Sequence, residues 1–109
     1  MRLAVYGSLM RGGDAHHELQ GLEGTWQHGV VNGWAYEITW GPAEGLEGLS
    51  LDTSGPSVGV DVIESQSLDR HLDRLDRSFG RGYRRIATTV QLDDGSLVTA
   101  DLYESDPEA

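Results

Sequence analysis

The sequence predicts an α+β fold, a small antiparallel or mixed β-barrel with one main helix and short flanking helices. Three observations favour this fold. Several segments alternate apolar and polar residues as strands do, 15 glycines divide the chain into short pieces, and a single segment has a long helical stripe. The length of 109 residues suits one core. We predict one domain over residues 1–104, followed by a loose tail at 105–109.

The first elements predicted are a strand and a short helix. Residues 3–6 are apolar and aromatic and Gly7 follows them directly, so we predict a buried strand that ends in a glycine turn. Residues 14–20 suit a short helix with Asp14 as its N-cap and Gly21 as its stop.

The middle of the chain predicts a hairpin, a long loop and a strand. Two extended runs between residues 25 and 38 flank Asn32-Gly33, a frequent hairpin turn. Residues 41–59 contain five glycines and two prolines and are predicted to form a loop. A loop of that length is often functional, here either as a pocket wall or merely as a connection. Residues 58–64 alternate and predict a strand.

The C-terminal half predicts the main helix and a second hairpin. A leucine stripe at i, i+4 and i+7 marks the helix: Leu68, Leu72 and Leu75. Either Ser67 or Ser65 suits its N-cap. Residues 86–92 and 97–103 then alternate on either side of Asp94-Gly95, which predicts the hairpin.

The charge of the chain excludes several classes of partner. Acidic residues number 18 against 8 basic ones, all arginine, and the formal net charge is −10. Binding to nucleic acid or to an anionic membrane surface needs the opposite balance, so neither is expected. No apolar run is long enough to span a bilayer, and the N-terminus lacks a signal-peptide pattern. We expect a cytoplasmic monomer or homodimer.

Several kinds of site have no support in the sequence. The chain has no cysteine, which removes disulfides, thiol nucleophiles and cysteine-based zinc sites. Its four histidines lack the spacing of known metal motifs, so no metal site is expected. Walker-type and GxGxxG loops are missing as well, so no nucleotide cofactor is expected.

Two segments are candidates for chemistry. Residues 6–9, Tyr6, Gly7, Ser8 and Leu9, follow the first strand, and successive amides after a glycine turn can converge on an anion. The alternative is an ordinary strand-to-loop turn. At the end of the main helix, Asp76 is the second candidate, because a carboxylate in the last turn can point into a cleft. Phe79 continues the leucine stripe and is predicted to pack in the core.

The order of motifs resembles the γ-glutamylcyclotransferase-like family over essentially the whole chain. VYGSL comes first, then RGG, then GPA, then LDxxxGxxYRR. The resemblance implies a small β-barrel with flanking helices. It also implies an enzyme that converts γ-glutamyl amines or γ-glutamyl amino acids to 5-oxoproline and the free amine. Residues 6–9 would hold the glutamyl group with backbone amides, and Tyr83 would contact the substrate.

The implied reaction needs few groups. The substrate's α-amine attacks its own γ-carbonyl, and this intramolecular geometry removes several kcal/mol from the barrier. One carboxylate can accept the proton and return it to the leaving amine. No metal or organic cofactor is required.

The sequence departs from the family at the catalytic acid. In relatives a glutamate stands in LDxxEG, and the ungapped match places Phe79 there. A shifted match places Asp76 in that role, which makes Asp76 our predicted catalytic base. Three explanations stay open. Asp76, Asp61 or Glu37 supplies the base, or the pocket has acquired other chemistry, or the protein is a relative that only binds its ligand.

Overall fold

The computed structural model describes residues 1–108. Its elements follow one another along the chain as six strands and one α-helix: β1 (Arg2–Val5), β2 (Thr25–Glu37), β3 (Glu47–Leu51), β4 (Ser57–Glu64), α1 (Leu68–Phe79), β5 (Tyr83–Leu92) and β6 (Leu97–Ser105). Short 3₁₀ turns lie at Gly7–Leu9 and His16–Leu19. No helix within the described residues has the length and apolar character needed to span a membrane.

Five of the strands close into a barrel. The hydrogen-bonded order is β2-β4-β1-β6-β5, and β5 pairs with β2 to complete the circle. The β1–β6 pair is parallel and the other pairs are antiparallel, so the barrel is mixed. β3 extends the second half of β2 outside the circle. The predicted α+β fold with one main helix is therefore confirmed.

The first predicted hairpin is wrong, because β2 runs through Asn32-Gly33 without turning. Residues 25–32 pair with β4, and residues 33–37 pair with β3. Gly33 allows a close approach of strands rather than a turn, since a Cβ there would lie 2.5 Å from the Ser50 carbonyl oxygen. The loop predicted over residues 41–59 is also wrong in part, because β3 and the start of β4 lie within it.

Other local predictions hold with small shifts. The strands predicted at 3–6 and 58–64 and the second hairpin correspond to β1, β4 and the β5–β6 pair. The predicted helix at 14–20 is a single 3₁₀ turn whose N-cap position is Ala15, not Asp14, and whose C-cap is Gln20. Four residues are too few for an α-helix. Ser105, predicted to belong to the tail, is the last residue of β6.

The core has two parts. Small and branched residues fill the barrel interior, among them Val31, Val60, Val90 and Leu102. The outer face of β1 and β4 packs against the stripe predicted for α1, namely Leu68, Leu72 and Leu75. The helix begins after Ser67, whose backbone N–H donates to Ser65 Oγ. Helix α1 is thus fixed against the barrel, and its last turn lies beside the end of β1.

Candidate active site

The turn after β1 leaves one amide available to an anion. Gly7 has φ 61°, which L-residues rarely adopt, and the chain continues in a single 3₁₀ turn. The Ser8 N–H then points to a carboxylate, donating to Glu47 Oε2 at 3.0 Å and to Oε1 at 3.2 Å. In this structure the Ser8 amide therefore binds the chain's own carboxylate, and the role of residues 6–9 in holding a glutamyl group stays a prediction.

A cavity of about 350 Å³ opens beside this turn. Four of the predicted substrate-binding residues line it: Tyr6, Ser8, Leu9 and Tyr83. Gly7 lines an adjoining cavity of about 390 Å³, which shares Tyr6, Leu46 and Glu47 with the first. The fold thus brings all five predicted residues around one groove at the end of β1.

The main chain around Glu47 is held in place from two sides. Glu47 begins β3 and is paired with Glu37 in β2. Its carbonyl oxygen accepts a hydrogen bond of 2.5 Å from the Tyr83 hydroxyl. On the opposite side, a Cβ at Gly7 would lie 1.4 Å from Glu47 Oε2. Any larger residue at position 7 would displace this carboxylate as well as strain the backbone.

The two tyrosines of the cavity stay protonated at neutral pH. Burial is the main cause that raises the pKa of Tyr6, and its hydroxyl donates to the Tyr103 carbonyl oxygen at 2.7 Å. Burial also raises the pKa of Tyr83, followed by the nearby Glu47 charge. Tyr6 therefore forms part of the cavity wall, and Tyr83 acts as a neutral hydrogen-bond donor.

Asp76 does not face this cavity. Its carboxylate accepts hydrogen bonds from Arg85 Nε at 3.0 Å and from the Tyr103 hydroxyl at 2.5 Å. The Arg85 hydrogen bond is the main cause that holds the pKa of Asp76 below its ordinary value. Asp76 lines a separate hollow of about 290 Å³, together with Arg85 and Tyr103.

Phe79 lies between the two hollows and lines both. Its ring stacks on Tyr103 with centroids 3.9 Å apart and planes 8° apart, and it meets Tyr83 edge-on at 5.2 Å. It also packs against the core cluster under α1, as predicted. The ring therefore separates Asp76 from the groove that contains Ser8.

The two other carboxylates considered from the sequence have different surroundings. Asp61 is 3% exposed and accepts hydrogen bonds from Arg11 N at 2.8 Å and Arg11 Nη2 at 3.0 Å. Burial raises the pKa of Asp61, but the Arg11 hydrogen bonds outweigh it and the net pKa is lowered. Asp61 thus anchors the segment after the turn. Glu37 lines the adjoining cavity.

Sequence reasoning missed both carboxylates that line the 350 Å³ cavity, Glu18 and Glu47. Glu47 lies in the stretch predicted as loop, and the only strand signal near it is the short apolar-polar-apolar alternation of residues 49–51. Glu18 lies in the short 3₁₀ turn, where its carboxylate accepts a long hydrogen bond of 3.5 Å from Ser78 Oγ. Within residues 1–108, no three histidine, aspartate or glutamate side chains are grouped to hold a metal ion.

The closed mixed barrel, with α1 and the Gly7 turn beside a cavity, defines a domain of the cyclotransferase fold. The chain belongs to the γ-glutamyl cyclotransferase, AIG2-like family, whose model matches residues 3–109. None of the curated proteins matches the chain significantly.

Solved structures show the same fold. YkqA from Bacillus subtilis is 24% identical with a TM-score of 0.70, and the match covers 96% of this chain and 35% of that protein. An AIG2-like protein from Mus musculus is 24% identical with a TM-score of 0.68, and the match covers 99% of this chain and 78% of that one. Allophanate hydrolase from Kluyveromyces lactis is 22% identical with a TM-score of 0.58, over 94% of this chain and 17% of that one. The chain thus spans about a third of the Bacillus protein and most of the mouse protein.

Proposed function

We propose that the protein is a γ-glutamyl cyclotransferase, which converts a γ-glutamyl amine to 5-oxoproline and the free amine. One observation carries the proposal: the Ser8 amide, at the edge of the cavity, binds a carboxylate oxygen at 3.0 Å. The same N–H is a suitable donor for the γ-carbonyl oxygen of a substrate, on which negative charge develops during attack. Family membership supports this assignment.

The cavity suits the substrate in size and charge. Its volume of about 350 Å³ is adequate for a glutamyl group, since ligand sites begin at about 300 Å³. Tyr6, Phe79 and Tyr83 supply flat apolar walls. Among the described residues that line it, Glu18 and Glu47 are charged and none is basic, which favours the substrate's α-ammonium. A folded glutamyl chain held there has its amine close to its own γ-carbonyl carbon.

The proposal is tested with purified protein and a panel of γ-glutamyl amides, namely the methylamide, the p-nitroanilide and γ-glutamylalanine. We expect 5-oxoproline and the free amine in equal amounts, measured by mass spectrometry. Replacing Ser8 by proline removes the donor N–H and is the matched loss variant. If the unchanged protein forms no 5-oxoproline from any panel member, the proposal is rejected.

A binding-only role is the second candidate, and the Phe79 ring favours it. Phe79 fills the position where the resemblance implies a glutamate, and a phenyl ring transfers no proton. In that case the same amides would raise the melting temperature without forming product, because a ligand that binds only the folded state stabilises it.

Asp76 stays a prediction from the sequence, and Asp76→Asn tests it in the same assay. Because Asp76 faces the hollow beyond Phe79, we expect turnover within about twofold of the unchanged protein. Loss of 5-oxoproline release from a folded Asp76→Asn protein would instead identify Asp76 as the base.

A further inference from the structure

We propose that Glu47 is the catalytic base of the reaction proposed above, on which this inference rests. Two carboxylates line the cavity, Glu18 and Glu47, and they differ in where they lie. Both residues are exposed, and the Glu18 carboxylate lies toward His17 and Ser78. The Glu47 carboxylate is in direct contact with the Ser8 amide, the donor assigned to the reacting carbonyl. Glu47 is therefore the carboxylate next to the bond that breaks.

Substrate and Glu47 compete for the same amide. In the free protein both Glu47 carboxylate oxygens accept from the Ser8 N–H, so a substrate carbonyl oxygen has to take their place. The main chain of Glu47 is fixed by β2 and by the Tyr83 hydroxyl, which leaves side-chain rotation as the available movement. The displaced carboxylate stays in the cavity, where the substrate's α-ammonium offers it a new partner of opposite charge.

The displaced carboxylate is then placed to move one proton. The α-ammonium first loses a proton to water, and its lone pair forms the bond to the γ-carbonyl carbon. Glu47 takes a second proton from the attacking nitrogen while the carbonyl oxygen, now negative, stays on the Ser8 N–H. The bond from that carbonyl carbon to the leaving nitrogen breaks, and Glu47 returns its proton to that nitrogen. No electron transfer is involved, and Glu47 ends the cycle ionised.

The first experiment compares Glu47→Gln with Glu18→Gln, the other carboxylate of the cavity. Glu44→Gln is the matched control, because Glu44 is an exposed glutamate near Glu47 that lines none of the three cavities. We expect Glu47→Gln to lower kcat by about 100-fold or more, the usual contribution of a general base, with KM changed less than about threefold. Glutamine keeps an acceptor oxygen for the Ser8 N–H, so the fold should persist, which the melting temperature checks. Glu44→Gln should keep kcat and KM within about threefold of the unchanged protein, and Glu18→Gln should lower kcat less than Glu47→Gln does.

The second experiment separates a proton carrier from a positioning residue. Glu47→Ala leaves space beside the Ser8 amide for added formate. Formate should raise the turnover of this variant at least tenfold above its turnover without formate. Chloride at equal ionic strength should restore none. Loss of turnover in Glu47→Ala without rescue by formate would overturn the base assignment.

The remaining outcomes are also decisive. If the unchanged protein is active and Glu47→Gln keeps that activity, the role of Glu47 is overturned and the proposed function stands. The same holds if Glu18→Gln loses the activity instead. An unchanged protein that forms no 5-oxoproline from any panel member overturns the proposed function, and the role of Glu47 falls with it.

Discussion

At the scale of single residues, Phe79 determines which carboxylates face the cavity that contains Ser8. Its ring is stacked on Tyr103 and lies edge-on to Tyr83, so it is held by two aromatic neighbours. Asp76 is thereby confined to the hollow with Arg85, and the cavity with Ser8 is left to Glu18 and Glu47. The family resemblance implies a glutamate at position 79, and in our proposal Glu47 of β3 takes over its role.

This exchange of positions predicts a rescue. The double variant Glu47→Gln with Phe79→Glu places a carboxylate at the position that the family resemblance implies. We expect it to release 5-oxoproline at least tenfold faster than Glu47→Gln alone, because a carboxylate again faces the cavity. Glu47→Gln with Phe79→Gln is the control, since it has the same shape without the charge. Equal rates in the two double variants would show that position 79 no longer reaches the substrate.

The sequence predicts only the part of this site that depends on contacts between residues close together in the chain. Residues 6–9 form a local turn that depends on Gly7, and local backbone chemistry can be inferred from neighbouring residues. The contact between Ser8 and Glu47 joins residues 39 apart in the chain. It depends on the register of β3 against β2, which no local pattern encodes.

At the scale of elements, the two Asx-Gly pairs show the same limit. Gly95 has φ 89° and lies in the turn between β5 and β6, as predicted. Gly33 has an extended backbone inside β2, although Asn32-Gly33 is an equally good local hairpin signal. The pairing of β2 with β4 and β3 on either side of this point overrides the turn preference. Helix α1 was predictable because its stripe alone determines which face is buried.

Because β2 is continuous and closely packed at Gly33, we expect replacement of this glycine by alanine to destabilise the fold. Gly33→Ala places a Cβ 2.5 Å from the Ser50 carbonyl oxygen, which is main chain and has to shift. We expect the free energy of unfolding to fall by about 1–3 kcal/mol, the usual cost of forcing an atom into a packed region. Gly59→Ala is the matched control, because a Cβ there meets only the His28 side chain at 3.3 Å. Urea unfolding measures both, and an equal loss in the two variants would contradict the close approach described at Gly33.

At the scale of the whole molecule, the chain has a large net negative charge, and its arginines form ion pairs at specific positions in the fold. The formal net charge of −10 means that most carboxylates have no cation available. Within residues 1–108 four arginines form ion pairs: Arg2 with Glu64, Arg11 with Asp61, Arg84 with Glu104 and Asp106, and Arg85 with Asp76 and Asp101. Of these acids Asp61 and Glu104 are buried. The Arg11 pair attaches the loop after β1 to β4, and the Arg84 pair joins the neighbouring barrel strands β5 and β6.

The Arg11–Asp61 pair predicts how stability depends on pH. The native pKa of Asp61 is lowered, so below about pH 4, the ordinary aspartate value, the unfolded chain binds the proton more readily than the folded one. The stabilisation from Asp61 is therefore complete above that pH and is lost as the pH falls through the native pKa. Asp61→Asn should be less stable than the unchanged protein by about 1.5–3 kcal/mol at pH 7, the range for hydrogen bonds to charged groups, and the difference should close toward pH 3. Thermal unfolding between pH 7 and pH 3 measures this, with the exposed Asp73→Asn as a control that follows the unchanged protein at every pH. A difference that stays constant down to pH 3 would mean that Asp61 acts through its shape and not through its charge.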